Sequence, residues 1–496
     1  FTNGVSQSLS NVGANPYYVA NSAIPGFNDA VANRAALVDW MDERLVNKTS
    51  TRLFVADLVV NGELPFELGG GAIRWAAGGQ YRYDQVRQNP QILHDVNATP
   101  CVDSAPFGDG QPYCLVPTGP YLFNANLAQY DVSREIGSLF AETLLPITDD
   151  LELTLAARYE YSKDSGETFN PKASVRWQAL DWLALRGSVG TTYRAPSPVI
   201  TTDNFTRGLT NANGTWRAND QYGNPDLEPE TAFTYSVGAM AKMGRFRATV
   251  DYWSFDFEDQ LILESATEML AAFFPANSPT GFCASTDPKY VALRDRFTFS
   301  GACGRANVQS YRTQYINGGK VKTSGLDFQA NLDVGDLFGG ALTTGFDGTY
   351  LLQYDEDPYM IEGVAAPAAG TQKRAGTYRA SIFTGYNRLR ANVYLNWSGG
   401  PHNIRWQVRH TSSVNQTESN SIGLALATKG TTKIPEYWQH DLTYRVELPW
   451  DTVVTASVQN IFDADPPFAI GTQYNYDPSS ANPLGRVYAL AVKKRF

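Results

Sequence analysis

From Leu151 to Tyr161 the residues alternate with scarcely a break, placing Leu151, Leu153, Leu155, Ala157, Tyr159 and Tyr161 on one face and Glu152, Thr154, Ala156, Arg158 and Glu160 on the other. A period of two is the mark of a β-strand with one apolar face. The pattern returns over 322–334, where Leu326, Phe328, Ala330, Leu332 and Val334 oppose Asp327, Gln329, Asn331 and Asp333, and again over 342–352, 389–397 and 442–448. Arg, Glu, Asp and Asn in mid-strand require the second face to be wet or hydrogen-bonded. About fifteen strands of about ten residues are predicted, the length a tilted membrane strand needs.

The connections separate by length. Short ones fall at 64–71, 146–150, 179–182, 242–245, 335–341, 387–388 and 449–451, and between them fall long ones at 83–131, 194–229, 258–311, 355–373, 399–436 and 461–484. Only 163–167 is short where a long one is due. A soluble sandwich has no reason to sort loop length by strand parity, whereas a barrel with short turns at one rim and long loops at the other does so. The predicted class is therefore all-β, an antiparallel transmembrane β-barrel of the outer-membrane type. On that reading Leu153, Leu155, Leu326, Phe328, Val393, Leu395, Tyr444 and Val446 face lipid, while Arg158, Asp327, Gln329, Asn392 and Arg445 face the lumen. The last strand places Tyr488, Leu490, Val492 and Phe496 on one face. A terminal Phe at this parity resembles the insertion signal of bacterial outer-membrane barrels, from which Lys494 departs.

Composition agrees with strands and turns. Of 496 residues, 18% are charged and 12% aromatic, against roughly 25% charged in soluble domains. The net charge of -10 argues against a nucleic-acid partner, whose footprint is basic. The sequence has no apolar run of about 18 residues, so no helical membrane span is expected. Residues 1–5 do not read as a signal peptide. Within 28–48, Val31, Ala35, Val38 and Leu45 sit at helical spacing behind a cap at Asn28 or Asp29. We read 1–50 as an extracellular loop with a short helix and 51–496 as barrel. The first strand, 51–64, runs into a short connection and so descends from the long-loop rim. Barrels of this type have an even strand number and begin at the other rim, so these strands are expected to form the C-terminal part of a larger barrel.

Five stretches resemble TonB-dependent outer-membrane receptors, in that family's order. They are Asn170-Pro-Lys-Ala-Ser-Val-Arg-Trp177 with Leu185 to Ser197 (ending Tyr-Arg-Ala-Pro-Ser), Asn224-Pro-Asp-Leu-Glu-Pro-Glu-Thr231, Asn317-Gly-Gly-Lys-Val-Lys-Thr-Ser-Gly-Leu-Asp327, and Val458-Gln-Asn-Ile-Phe-Asp463. The resemblance implies a barrel of about 22 strands with a plugged lumen, in the outer membrane of a Gram-negative bacterium. It implies a plug and TonB box upstream of the barrel, and as partners the missing plug and first strands (on the same protein or a separate chain), the TonB energy-coupling complex and outer-membrane lipid. The function implied is active uptake of a scarce nutrient of the siderophore-iron, cobalamin or oligosaccharide class. A passive substrate-specific porin and a barrel-anchored enzyme or adhesin are the alternatives.

Candidate chemistry lies in the long loops. Cys101 and Cys114 share one loop and Cys283 and Cys303 another, so those two pairs are the preferred disulfides of the three connectivities possible. No catalytic constellation is legible: His94, His402, His410 and His440 are scattered, no cofactor is called for and no enzyme is expected. Asp355, Glu356, Asp357 and Glu362 form an acidic group without EF-hand spacing, read as solvated loop, and no metal site is assigned. Tyr113, Tyr121, Phe205, Trp216, Tyr222, Tyr359, Trp406 and Tyr474, with Phe123 and Tyr476, are the loop aromatics expected to meet a ligand, or else to pack the loops and the interfacial girdle. Ser265-Ala-Thr-Glu268 fits a capping box that opens a short helix.

Overall fold

The alternation closes into one antiparallel sheet. The computed structural model describes residues 46–92, 95, 127–212, 215–367, 370–380, 382–470 and 474–495. Fifteen wall strands pair in sequence order. They are β1 (Asn47–Leu68), β2 (Gly71–Pro90), β3 (Tyr130–Thr148), β4 (Leu151–Ser162), β5 (Gly166–Leu180), β6 (Leu183–Arg194), β7 (Glu230–Met243) and β8 (Phe246–Glu258). Then follow β9 (Val321–Leu337), β10 (Gly340–Glu356), β11 (Leu389–Gly399), β12 (His402–Thr411), β13 (Tyr437–Leu448), β14 (Thr452–Gln459) and β15 (Val487–Lys494). Odd strands run from the long-loop rim to the short-turn rim. The turn between β4 and β5 stays the one short connection on the long side.

Short-rim turns take the geometry that strand twist demands. Between β9 and β10 both Phe338 (φ 53°) and Gly339 (φ 73°) lie in the left-handed region, and so do Trp450 (φ 60°) and Asp451 (φ 51°) between β13 and β14. Paired positive φ values match the right-handed twist of a hairpin. Phe338 and Trp450 project from these turns, 89% and 82% exposed, as aromatics at a membrane–water boundary do.

The two faces of the wall differ as the alternation predicts. Leu155, Val393, Leu395 and Tyr444 are exposed on the outside, where Phe328 stacks on Phe346 across β9 and β10 at 5.1 Å. On the inside Arg158 donates to Gln80 at 2.9 Å, Thr349 to Asp327 at 2.6 Å and Asn392 to Asp347 at 2.8 Å. Residues of β6, β8, β9, β10, β11, β12 and β13 together with Ser480 line one cavity of about 660 Å³. Only a sheet curled toward this face can gather them. Arg186 of β6 and Asp251 of β8 make two hydrogen bonds, at 2.7 and 2.5 Å, across the intervening β7. They meet above Gly238, where a Cβ would fall 2.6 Å from the Asp251 carboxyl carbon.

Two expectations about the wall are corrected, and they offset in the strand count. Residues 373–387 form no wall strand, because β10 pairs directly with β11, Gly345 opposite Tyr394. The long connection expected over 399–436 instead begins with a tight turn at Gly400 (φ 52°) and contains β12. The alternation of Ile404, Trp406 and Val408 is framed by His402 and His410, so the strand's apolar face looked too short. Of the expected N-terminal helix, residues up to 45 lie outside the described residues, while Asn47 and Lys48 open β1. Among the described residues β1 pairs only with β2 and β15 only with β14. On β1, Phe54 and Leu58 on one face and Leu53 and Val59 on the other are all more than half exposed.

The assignment of faces is testable. Leu395→Arg on the outer face should destabilise the folded protein by about 2–4 kcal/mol if it lies near the bilayer midplane, while Ser457→Arg, facing the lumen, should cost far less. Urea titration in lipid vesicles reads both. Equal costs would overturn the register.

Candidate ligand-capturing site at the loop rim

Among the described residues the long loops form two caps with cores of their own. In the first, strands Phe205–Ala212, Thr215–Tyr222, Leu261–Leu263, Phe297–Phe299 and Val308–Asn317 form a small sheet. Its pairing of Ser310–Gln314 with Ala218–Tyr222 is parallel, which joins loops distant in sequence. Beneath it sit α1 (Ala266–Phe273) and α2 (Pro288–Arg294). The expected capping box is present, Ser265 accepting the Glu268 N–H at 3.3 Å. α2 starts with Pro288 behind Asp287, which accepts the Lys289 N–H at 3.2 Å, an entry suited to a residue without an N–H. Met269, Phe273, Phe274, Leu293 and Ile361 are buried together, and Cys283 is bonded to Cys303 with Cα atoms 5.7 Å apart.

Buried charge holds the same cap. Arg296 pairs with Glu264 and, at 2.7 Å, with Glu362, while Glu264 also accepts the Gln314 N–H at 2.9 Å. Burial pushes the Glu264 carboxyl above its usual range against the opposing pull of Arg296. Burial likewise pushes the Tyr311 hydroxyl up to about 12.

A second cap joins the loops after β10, β12 and β14. Its strands are Thr377–Arg379, Thr384–Gly385, Val414–Gln416 and Lys433–Ile434, with Tyr378 fully buried against Val414, Ile434 and Ala469. Asp477 accepts the Ser479 N–H at 2.9 Å and its hydroxyl at 2.7 Å, and Ser479 in turn accepts the Gly385 N–H at 3.1 Å. The two caps meet at Glu356, which accepts from Arg374 Nε at 2.7 Å, Arg379 Nη1 at 3.5 Å and the Tyr386 hydroxyl at 3.4 Å. Arg379 also lies 3.8 Å from Glu268 of α1. These groups border a cavity of about 400 Å³ at the mouth.

Of the short motifs noted in the sequence, Asn170–Trp177 lies within β5, and the others act where strands leave the wall. Asn317 accepts the Glu228 N–H and returns a hydrogen bond to the Glu228 carbonyl, each at 2.9 Å. Glu230 accepts from Arg194 at 2.6 Å and from the Leu261 N–H at 3.0 Å. Arg134 donates to the Pro196 carbonyl at 2.6 Å. Asn460 closes a loop with Ala464 through two hydrogen bonds of 2.9 Å. They are rim staples that set the angle at which each loop departs.

The structure divides the expected aromatics. Phe205 and Tyr222 stack at 5.1 Å, and Arg312 lies 4.6 Å over the Tyr222 ring. Tyr474 is 43% exposed and adjoins Phe383 and Tyr476 at 5.3 and 5.8 Å. Tyr359 is cap core instead: it is buried, and its hydroxyl accepts the Ser265 N–H at 2.9 Å. Trp406 is not on a loop but in β12, on the outer face opposite Leu442. Trp216 lies in the strand Thr215–Tyr222. Tyr113, Tyr121, Phe123, Cys101 and Cys114 lie outside the described residues. Arg312 and Phe383 were missed, since nothing local marks a residue whose partner is about ninety positions away.

Three of the four histidines and the acidic group have packing or hydrogen-bond partners, and His94 lies outside the described residues. His402 shares a 2.7 Å hydrogen bond with the Tyr444 hydroxyl, His410 lies against Trp438 and His440 between Trp406 and Phe462, all on the outer wall. Glu356 and Glu362 hold arginines, and Asp357 accepts the Thr371 hydroxyl at 2.6 Å. No group of three metal-ligating side chains occurs among the described residues.

Two tests follow from the cap. Replacing Cys283 and Cys303 by Ser should remove about 3 kcal/mol of restraint in the chain-entropy account, seen as faster proteolysis within the cap at unchanged barrel stability. Arg296→Met, which strands Glu264 without its partner, should cost about 3–5 kcal/mol and loosen the same segment in hydrogen exchange. Protection at parent levels in either variant would refute the cap as a separate core.

Comparison with known proteins agrees with this architecture. The family model described as TonB dependent receptor-like, beta-barrel, matches residues 2–461. The chain is 26% identical over 270 residues to a probable TonB-dependent siderophore receptor, PirA, of Acinetobacter baumannii, covering 52% of this chain and 32% of that protein. It is 24% identical over 256 residues to the ferrienterobactin receptor of Escherichia coli, covering 49% and 30%. Among solved structures, the ferric enterobactin receptor PfeA of Pseudomonas aeruginosa superposes with a TM-score of 0.59 at 16% identity, covering 90% of this chain and 54% of that one. PirA of A. baumannii superposes at 0.57 with 14% identity, covering 90% and 55%. The chain thus spans about half the length of these structures, and its matched stretch about a third of the curated relatives. The matched model, the sorted rims and the polar-lined wall agree: the chain belongs to the TonB-dependent receptor β-barrel family of the Gram-negative outer membrane.

Proposed function

We propose that this chain supplies barrel wall and ligand-capturing loops to a receptor for TonB-driven uptake of siderophore-bound iron. The observation that carries the reading is the matched stretch, about half of the chain, shared with a relative named as a probable TonB-dependent siderophore receptor and with one named as a ferrienterobactin receptor. The caps support it: stapled, separately cored loops over a polar lumen suit selective capture better than free diffusion. Their aromatic and arginine surfaces at Phe205, Tyr222, Arg312 and Tyr474 are the first contacts proposed for the ligand. Strands from outside this sequence would pair with β1 and β15, because an unpaired backbone edge in lipid costs several kcal/mol for each exposed group. A plug within the lumen and the TonB complex below it belong to the same proposal.

The test is uptake of ⁵⁵Fe as ferric siderophore by cells that rely on this receptor, with and without a functional TonB complex. Uptake should need both receptor and TonB. Uptake that persists at a similar rate without TonB would instead favour a passive porin.

A further inference from the structure

Two neighbouring wall strands part before they reach the loop rim. β5 and β6 pair from Leu180 and Leu183 up to Lys172 and Gly190 and no further, although β5 continues to Gly166 against β4 and β6 to Arg194 against β7. Pro171, with no N–H to donate, stands at the fork, and a Cβ on Gly190 would come 2.9 Å from its carbonyl oxygen. A tilted strand crosses the hydrocarbon in about ten residues, so the upper end of the 15-residue β5 stands above it. The fork opens a cavity of about 470 Å³ through the wall, with Phe169 and Phe233 exposed on its outer side and Thr168, Asn170 and Thr192 on its inner side. Along Glu167–Pro171 alternate backbone groups face the open side, and Thr168 Oγ1 and Asn170 Nδ2 are buried there without a hydrogen-bond partner. The lining holds three carboxylates, Glu167, Asp256 and Glu258, and no cation. Lys322 and Lys320 offset the last two from the β9 side, which leaves Glu167. The fork lies four strands from β1 and opens to the outer face, so access to it does not pass through the lumen.

β10 meets the same situation and shows what fits. It parts from β11 above Leu351, and there Gln372–Lys373 takes the open edge as a short antiparallel strand, Lys373 opposite Asp355, with the Arg374 N–H donating to the Tyr354 carbonyl at 2.7 Å. That segment belongs to the loop that β10 itself begins. β5 has no such resource, since its turn to β4 spans only 163–165, and among the described residues no segment pairs with its open edge.

We propose that the fork between β5 and β6 is a docking site for an extended basic segment of a partner polypeptide, which adds to the β5 edge as a further strand with a Lys or Arg opposite Glu167. Main-chain hydrogen bonds supply the affinity, and the acidic side chain supplies the preference. The proposal is independent of what the receptor imports.

The experiment measures fluorescence anisotropy of labelled pentapeptides with the full-length receptor purified in a non-ionic detergent. The probes are Thr-Lys-Val-Lys-Thr, its acidic counterpart Thr-Glu-Val-Glu-Thr, and the basic peptide methylated on every backbone nitrogen, which keeps its charge and loses its donors. The basic peptide should bind about fivefold more tightly than the acidic one and about tenfold more tightly than the methylated one, and Glu167→Lys should reverse the preference between the first two. Asn170→Cys with Thr192→Cys, at positions that a continued ladder would place opposite each other, should bind the basic peptide less once the two thiols are cross-linked by a short bismaleimide. Migration that shifts on heating reports that each variant is folded. Equal binding of the methylated peptide, equal binding before and after the cross-link, or no binding of any probe at millimolar concentration would overturn the docking site. Introduced thiols already bridged, or already shielded from maleimide, in the resting receptor would show the fork closed or filled by the receptor's own polypeptide, and would overturn it as well.

Discussion

In lipid a backbone N–H or C=O has no water to turn to, so a wall strand must give its hydrogen bonds to its neighbours. That constraint organises the molecule. It makes the strands antiparallel and continuous in order, leaves side chains to alternate between hydrocarbon and lumen, and confines irregular backbone to the rims. The Arg186–Asp251 pair over Gly238 shows how closely the inner face is fitted. Two charged side chains reach across a whole strand because the residue between them has no side chain.

The rims obey different rules. Below, tight turns reverse the chain in two or three residues, with paired positive φ at Phe338–Gly339 and at Trp450–Asp451. Above, loops of twenty to sixty residues must satisfy their own polar groups, and they do so by building small cores. The first cap has a hydrophobic cluster, a disulfide and a buried Arg296–Glu264 pair. A buried pair contributes modest stability but makes wrong packings costly. Rim staples such as Asn317 on Glu228 transmit the position of the wall to the caps, so the mouth is shaped by the barrel beneath it.

Aromatic groups occupy two levels of the molecule. Aromatic and arginine surfaces such as Phe205, Tyr222 and Arg312 lie on the caps, and a ladder of rings, Trp253, Phe255 and Phe257, lies along β8 of the wall. Loop groups are held by contacts between distant segments, whereas the ladder is held by the sheet.

Much of this was legible in the residues alone. The two faces of β4, β9 and β13, the sorting of turns by rim, the cap of α1 and the Cys283–Cys303 pair all follow from local spacing. The strand count agreed for a less secure reason: 373–387 alternates like a strand yet lies in a cap, and β12 was hidden between histidines. Period alone cannot say whether an alternating stretch pairs with the wall or with another loop, because both settings bury one face. Tyr359 and Trp406 show the same limit, since a loop aromatic reads alike whether it meets ligand, core or lipid. The alternating rings of Trp253, Phe255 and Phe257 went unread in the sequence, and only the sheet's curvature decided that they face inward. What sequence determined here are properties of neighbours a few residues apart, governed by backbone geometry. What tertiary structure decided are contacts between residues tens to a hundred positions apart, such as Arg312 on Tyr222 or Ser479 on Gly385, whose partners no local pattern can name.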